Sequence, residues 1–351
     1  MSPETGPRRA LVTGVTGQDG SFVTEMLLGK GYAVTGMVRS EPDAALGASE
    51  HLRDRIELIH GDLRDSGSLR RAVGLVRAHE LYHFAAPSFV PDSWQHPAST
   101  FETIAAATAT LLEAVRDQSL QTRVFVAVSS AIFGAAPESP QREDTACRPE
   151  NPYATAKLAC HQLVGQLRAR DGIFACSGIL YNHESERRPE QFVSRKIARS
   201  AAAIKAGVER EVVLGDLSAI RDWSFAGDVV RGAWLMLQQA EPADYVIASG
   251  AGHTVAEFAE LAFAHVGLKA EDHIRVDASL ERRPEATPPV GDPSRARQVL
   301  GWVPTLTFEQ LVHRMVDADI GRLRSPIRSG ARAGGLSAPR APQSRAPESG
   351  P

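Results

Sequence analysis

Residues 11–22 read LVTGVTGQDGSF. An apolar run ends at Thr13, and Gly14, Gly17 and Gly20 follow at three-residue spacing before a segment of helical periodicity. Only glycine turns a backbone this sharply and lets it approach another group with no Cβ in the way. A helix that starts here offers unpaired N–H groups and the positive end of its dipole to a phosphate. The strand before and the helix after set this stretch apart from ordinary turn glycines. It predicts a dinucleotide held at the first crossover of an α/β fold.

The same alternation continues outward. ALVTGV, AVTGMV, IELIHGD, ELYHFAA and VFVAVSS read as strands, and SFVTEMLLGKG, SGSLRRAVGLVRAH and AAATATLLEAVRDQ read as the helices between them. Such an order predicts a Rossmann-type, doubly wound parallel sheet covered on both faces. A helical pattern runs from Tyr153 to about Asp171, and ACSGILYN follows as another buried strand. Beyond Asn182 the segments are more polar and less regular, with VVLGD and YVIASG among them. The expected organisation is a flexible start over 1–8, a cofactor domain mainly over 9–182, and a smaller mixed α/β substrate lobe mainly over 183–322. Residues 323–351, rich in Arg, Ser, Ala, Gly and Pro, cannot bury enough surface to offset their ordering entropy and read as a disordered tail.

Composition narrows the function classes. With 351 residues, 43% hydrophobic and 23% charged, the chain can bury a large core in one or two domains. A net charge of -3 gives no electrostatic reason for a nucleic-acid partner. Cys147, Cys160 and Cys176 have no metal-ligand spacing and read as reduced thiols. No apolar run reaches the ~20 residues of a membrane span, and MSPETGPR lacks a signal-peptide core. The expectation is a cytoplasmic protein without a metal.

The second strand ends TGMVRS, placing Arg39 and Ser40 where a carboxylate would otherwise accept from a ribose 2′-hydroxyl. A cation and a hydroxyl there favour NADP(H) over NAD(H). Asp62 and Leu63 stand at the third strand end, on the adenine side, and FAAPS brings the small residues Ala85 and Ala86 close to the cofactor. Tyr153 and Lys157, four apart on a helix, share one face. The lysine charge favours the phenolate, which suits Tyr153 to general-base duty, and Ser129 at a neighbouring strand end can bond the same substrate hydroxyl. The set would remove a proton from a carbinol while hydride leaves for the nicotinamide.

At this point the chain resembles an extended short-chain dehydrogenase/reductase, and most closely the GDP-mannose 4,6-dehydratase family. The resemblance spans roughly Arg9 to Asp319 and rests on TGVTGQDGS, SPQREDTACRPENPYATAK, GILYNHESERR, FVSRKIAR, LGDLSAIRDW and GDPSRARQVLGW. It implies a tightly held NADP(H), a GDP-linked hexose, hydride removal from sugar C4, and a homodimer or homotetramer. Within it Thr16, Gln18, Asp19, Ser88 and His183 join the glycines at the cofactor, while Ser129 stands for the family's threonine and Tyr153 and Lys157 for its base and lysine. Asn182, His183 and Glu184 match the loop beside nicotinamide and sugar. Val193, Lys196 and Arg221 match contacts to the nucleotide diphosphate, with Ser88, Ser130, Leu214 and Gly215 on the substrate side. Arg282 and Glu285 fall where the family has an arginine and a glutamate near the nucleotide, in ERRPEATPPVGD, which follows the family pattern only loosely.

One departure bears on the reaction. Two positions after its hydroxyl residue the family carries a glutamate, which takes the C5 proton and helps expel the C6 hydroxyl. This chain has Ala131 there. Phe225 likewise replaces a histidine and reads as a sign of a changed sugar pocket. A methyl group accepts no proton, and SSA before an aromatic residue and glycine looks like the motif of nucleotide-sugar 4-epimerases. The residues therefore place C4 epimerisation first. The alternatives are 4,6-dehydration with a relocated base, 4-keto-sugar reduction and, from another class, a non-catalytic nucleotide-sugar or dinucleotide sensor. A manno-configured heptose would present the same C4 and C5 as the hexose.

Overall fold

The apolar runs become strands in the order in which they occur. A computed structural model describes residues 6–39, 45–280 and 287–324. It opens with β1 (Arg9–Thr13), α1 (Gln18–Gly29), β2 (Ala33–Val38), β3 (Glu57–His60), α2 (Ser66–Val76) and β4 (Glu80–His83). Two short helices, α3 (Asp92–Gln95) and α4 (Pro97–Phe101), lead through a π-helical turn at Glu102–Ala106 into α5 (Ala107–Gln118) and β5 (Arg123–Ser129). Then come α6 (Pro152–Asp171), β6 (Ala175–Leu180), β7 (Asn182–Glu184), α7 (Val193–Lys205), β8 (Val212–Leu214), β9 (Ile220–Phe225) and α8 (Ala226–Leu237). The chain continues with β10 (Tyr245–Ile247), β11 (Gly252–Thr254), α9 (Val255–His265), β12 (Ile274–Val276), α10 (Ser294–Leu300) and α11 (Phe308–Arg324).

Seven strands form one parallel sheet in the order β10-β6-β5-β4-β1-β2-β3. Parallel strands buried on both faces carry continuous apolar runs, as Ala10, Leu11 and Val12 do. Residues of α2, α5 and α6, among them Leu69, Leu111 and Val164, cover one face. Residues of α1 and α8, with Trp302, cover the other. The strand order reverses between β1 and β4, so a crevice opens at their carboxyl ends, where such sheets bind ligands. A third core, built from α7, α9 and α11 around Trp223, Phe258 and Phe263, stands beside it. Two small sheets, β11-β9-β7 and β12-β8, join this core to the crevice.

Local chemistry fixes the helix that matters most for the site. The Asn151 side chain accepts from Ala154 N at 2.9 Å, Pro152 fills the first turn, and Gly172 ends α6 at φ +68°. Arg8, at the end of the segment read as flexible, pairs with Glu80 at 2.8 Å. At the other end α11 continues through Leu323 to Arg324, two residues past the expected boundary. The rest of the expected tail, 325–351, lies outside the described residues, as do Ser40, Arg282 and Glu285.

Candidate active site

The glycine loop is as tight as its spacing requires. Gly14 sits at φ +75°, and a Cβ there would come within 2.8 Å of Ala85 N; one on Gly20 would reach 2.1 Å from Gly14 O. No side chain fits at either place without moving backbone. Gly17 stands at the start of α1, whose amino end opens on the cleft with Thr16, Gln18 and Asp19 around it. Met37, Arg39, Asp62, Leu63, Ala85, Ala86 and Ser88 continue the same wall. Arg39 is exposed at the end of β2, where the sequence places a 2′-phosphate. Helix dipole, close backbone approach and a cation at the strand end together fit a dinucleotide.

A buried chain of hydrogen bonds braces this cradle. Burial, with the Lys157 charge second, pushes His83 down to about 3, so its ring is neutral. Thr108 donates its hydroxyl to Ile104 O at 2.6 Å, hence His83 Nε2–H donates to Thr108 at 3.1 Å. His83 Nδ1 then accepts from Thr13 Oγ1 at 2.8 Å, and Thr13 accepts from Ala85 N at 3.2 Å. The strand ends of β1 and β4 are thereby fixed to each other and to α5.

The reacting end lies on β5 and α6. Tyr153 is in the first turn of α6 and Lys157 one turn on; they are 9% and 7% exposed and both face the cleft. Lys157 Nζ donates to Ala127 O at 2.7 Å and lies 5.9 Å from the Tyr153 ring centre. Ser129 ends β5, where its Oγ accepts from Ala131 N at 3.2 Å and keeps its own proton free to donate. The Tyr153 hydroxyl bonds no described residue. Ser130 and Ala131 line the same wall, and the Ala131 methyl packs on the sheet core.

Across the cleft the NHE strand faces the glycine loop. His183 Nδ1 bonds Tyr181 O at 2.8 Å, and Nε2 bonds Asp19 Oδ2 at 3.0 Å. Burial opposes charge on both partners, yet their mutual attraction wins: Asp19 is held below the usual carboxylate range and His183 is raised. Gln18 donates to His183 O at 3.1 Å and accepts from Ser185 at 2.7 Å, a second link across the same seam. Glu184, 1% exposed, accepts from Ser194 at 2.7 Å and lies 3.2 Å from Arg188 Nε, so it also braces the start of α7. Val193 and Lys196 on that first turn, Leu214 at the end of β8 and Gly215 after it, Arg221 on β9 and Asn182 on β7 complete the wall. A Cβ on Gly215 would come within 2.7 Å of Leu280 O. A helix amino terminus with three cations beside it, Arg188, Lys196 and Arg221, is suited to a diphosphate. The cleft measures about 1390 Å³, against ~300–1,000 Å³ for a pocket holding one drug-sized ligand. It has room for more than one drug-sized ligand, and Tyr153 stands in its wall.

Residues 11–315 match the family described as GDP-mannose 4,6 dehydratase. The chain is 43% identical over 327 residues to GDP-mannose 4,6 dehydratase 2 of Arabidopsis thaliana, with 90% of this chain and 87% of that one covered. It is 39% identical over 352 aligned positions to the GDP-mannose 4,6-dehydratase of Vibrio cholerae serotype O1, covering 90% and 94%. The chain belongs to the GDP-mannose 4,6-dehydratase family. It is thereby an enzyme of the nucleotide-sugar short-chain dehydrogenases/reductases. Among solved structures, the UDP-glucose 4-epimerase of Thermus thermophilus in complex with NAD superposes with a TM-score of 0.77 at 26% identity, covering 89% of this chain and 99% of that one.

Within this dehydratase-family frame, every described residue expected to touch cofactor or substrate or to act in catalysis lines the one cleft. Phe225 does not, which corrects the reading of its substitution as a pocket change. Its ring meets Phe22 edge-on at 5.3 Å and lies under Arg314 at 4.6 Å, on the seam between α1, α8 and α11. Sequence reasoning also missed lining residues. Arg188 was legible as the second arginine of NHESERR, next to an already assigned stretch. Gln141 and Glu150 stand inside SPQREDTACRPENPYATAK, but nothing in that stretch assigned them to the site; only the folded loop brings them to the wall.

Proposed function

We propose that this protein is an NADP-dependent 4,6-dehydratase acting on a GDP-linked, mannose-configured sugar, and that it begins by oxidising C4. The observation that carries this is the convergence of Ser129, Tyr153 and Lys157 on a cleft whose far end is a phosphate-type helix terminus with Lys196 and Arg221. The relatives named above, alike over nearly the whole chain, weigh toward dehydration over the epimerisation that Ala131 by itself favours. When bound, the nicotinamide supplies the hydride acceptor. The glycine loop and the start of α1 would hold its pyrophosphate, and Arg39 would meet its 2′-phosphate. Tyr153 takes the C4 hydroxyl proton, Ser129 orients that hydroxyl, and Lys157 holds positive charge beside the phenolate. Arg188, Lys196 and Arg221 neutralise the sugar nucleotide's diphosphate.

The test is product NMR after incubation with GDP-mannose in deuterated water. A 4-keto-6-deoxy product with deuterium at C5 supports the reading. A C4 epimer that keeps its C6 oxygen and its C5 proton overturns it in favour of the second reading, a 4-epimerase, for which Ala131 is the specific observation.

A further inference from the structure

A 4,6-dehydration needs a base for the C5 proton, and residue 131 cannot be that base. Among the described residues five carboxylates line the cleft: Asp19, Asp62, Glu150, Glu184 and Asp216. Four are engaged. Asp19 bonds His183, Asp62 accepts from Arg64 N at 2.9 Å, Glu184 accepts from Ser194, and Asp216 accepts from Ser218 at 2.6 Å. Glu150, at the exposed rim of the cleft, has no hydrogen bond or ion pair to any described residue. The other carboxylates of its loop are turned elsewhere: Glu138 accepts from Thr145, Glu143 from Val246 N, and Asp144 pairs with Arg142.

Glu150 is also in the right part of the fold. Its loop is laced to the catalytic turn, with Arg148 N donating to Ile132 O at 3.0 Å and Ala135 N to Arg148 O at 3.3 Å. The Glu150 stem lies over Gly134, its Cγ 3.3 Å from where a Cβ would stand, so the missing side chain at 134 leaves it room. The next residue is the Asn151 cap of α6, which fixes Glu150 three positions before Tyr153. The strand turn that carries Ala131 and the loop that carries an unpartnered carboxylate are therefore neighbours.

We propose that Glu150 is the general base of the elimination, standing in for the carboxylate absent at Ala131; this rests on the dehydratase reading. After C4 is oxidised, Glu150 takes the C5 proton. The C5–H electrons form the C5–C6 double bond, and the C6 hydroxyl leaves, taking the proton from Glu150 as water. The hydride removed from C4 is returned at C6 and a solvent-derived proton at C5, so the cofactor ends as it began and the net loss is one water.

Wild type, Glu150→Gln and Glu150→Ala are compared with GDP-mannose in deuterated water, reading C6 oxygen loss and C5 deuterium by NMR and reduced cofactor in a single turnover. Removal of a general base costs about 10²–10⁴-fold, so both variants are expected to lose elimination by that factor. Reduced cofactor should still form and a 4-keto hexose build up, which also shows that the variants are folded. Elimination at the wild-type rate in both variants overturns the role of Glu150 while leaving the dehydratase reading standing. A wild-type product with its C6 oxygen intact overturns that reading and this proposal together.

Discussion

The two sides of the cleft are held in opposite ways. Where the glycine loop meets the NHE strand, polar side chains are tied to one another: Asp19 to His183, Gln18 to Ser185, Glu184 to Ser194. At the reacting end the Tyr153 hydroxyl and the Glu150 carboxylate face the same cavity with no protein partner among the described residues. Tied groups set geometry, and their satisfaction is complete before any ligand arrives. A polar group left without a partner is satisfied by water or by substrate; the Tyr153 side chain is buried and calls for an explanation, whereas Glu150 is exposed and open to water until a ligand fills the cleft. The difference teaches where to look for a proton acceptor: the phenol and the carboxylate are left without a protein partner, while Ser129 and Lys157 beside them are held by Ala131 N and Ala127 O.

The largest effect expected from this contrast is at Tyr153. Tyr153→Phe keeps the ring and its packing and deletes only the proton acceptor. C4 oxidation should fall by about 10²–10⁴-fold, while calorimetry should find sugar-nucleotide binding nearly unchanged. Turnover close to wild type would take the phenol out of the mechanism. Arg39→Ala comes next. A hydrogen bond to a charged group is worth ~1.5–3 kcal/mol, roughly 10–150-fold in affinity, so NADPH should weaken by that factor and NADH hardly at all. Equal losses for the two cofactors would show that Arg39 does not read the 2′-phosphate.

The tied side is read in stability. His183→Ala removes one half of the pair that joins the strand to the glycine loop, and a charged hydrogen bond of this kind is worth ~1.5–3 kcal/mol. The pH dependence follows from the two shifts. His183 is raised, so its share is full below the ordinary histidine range and is lost as pH rises through the raised value. Asp19 is lowered, so its share is present above the ordinary carboxylate range and is lost as pH falls through the lowered value. The gap in melting temperature between wild type and His183→Ala should be widest between those limits and should close on both sides. A gap constant with pH would mean that the pair contributes by packing alone.

How far the sequence could be read follows the same division. The glycine loop, the apolar strands and the Tyr153–Lys157 spacing depend on contacts within a few residues, so their pattern is written locally. Gln141 reaches the cleft because its backbone N donates to Val290 O and its side chain accepts from Tyr181, partners far away in sequence. Glu150 lies inside a stretch already recognised, SPQREDTACRPENPYATAK, yet its use depends on the folding of residues 132–150 into a paired loop. Position 225 fails for a geometric reason. It is where β9 passes into α8, and the ring is claimed by Phe22 before it can point at a ligand.

That geometry makes Phe225→His the smallest effect and a sharp test of the contrast. If the changed chemistry of this chain lies in the unpaired end, restoring the family's histidine at 225 should leave KM for the sugar nucleotide within about twofold and the product unchanged. The cost should appear in stability, because aromatic pairs such as Phe22–Phe225 contribute ~0.5–1.5 kcal/mol beyond the area they bury. The imidazole would also enter a seam where the Arg314 guanidinium already covers the ring face, and a neutral, less polarisable ring offers that cation less. A lower melting temperature with intact kinetics is the expected result. A large rise in KM, or a new product, would mean that the α1–α8 seam communicates with the sugar, and would move the decisive departure of this chain from residue 131 to residue 225.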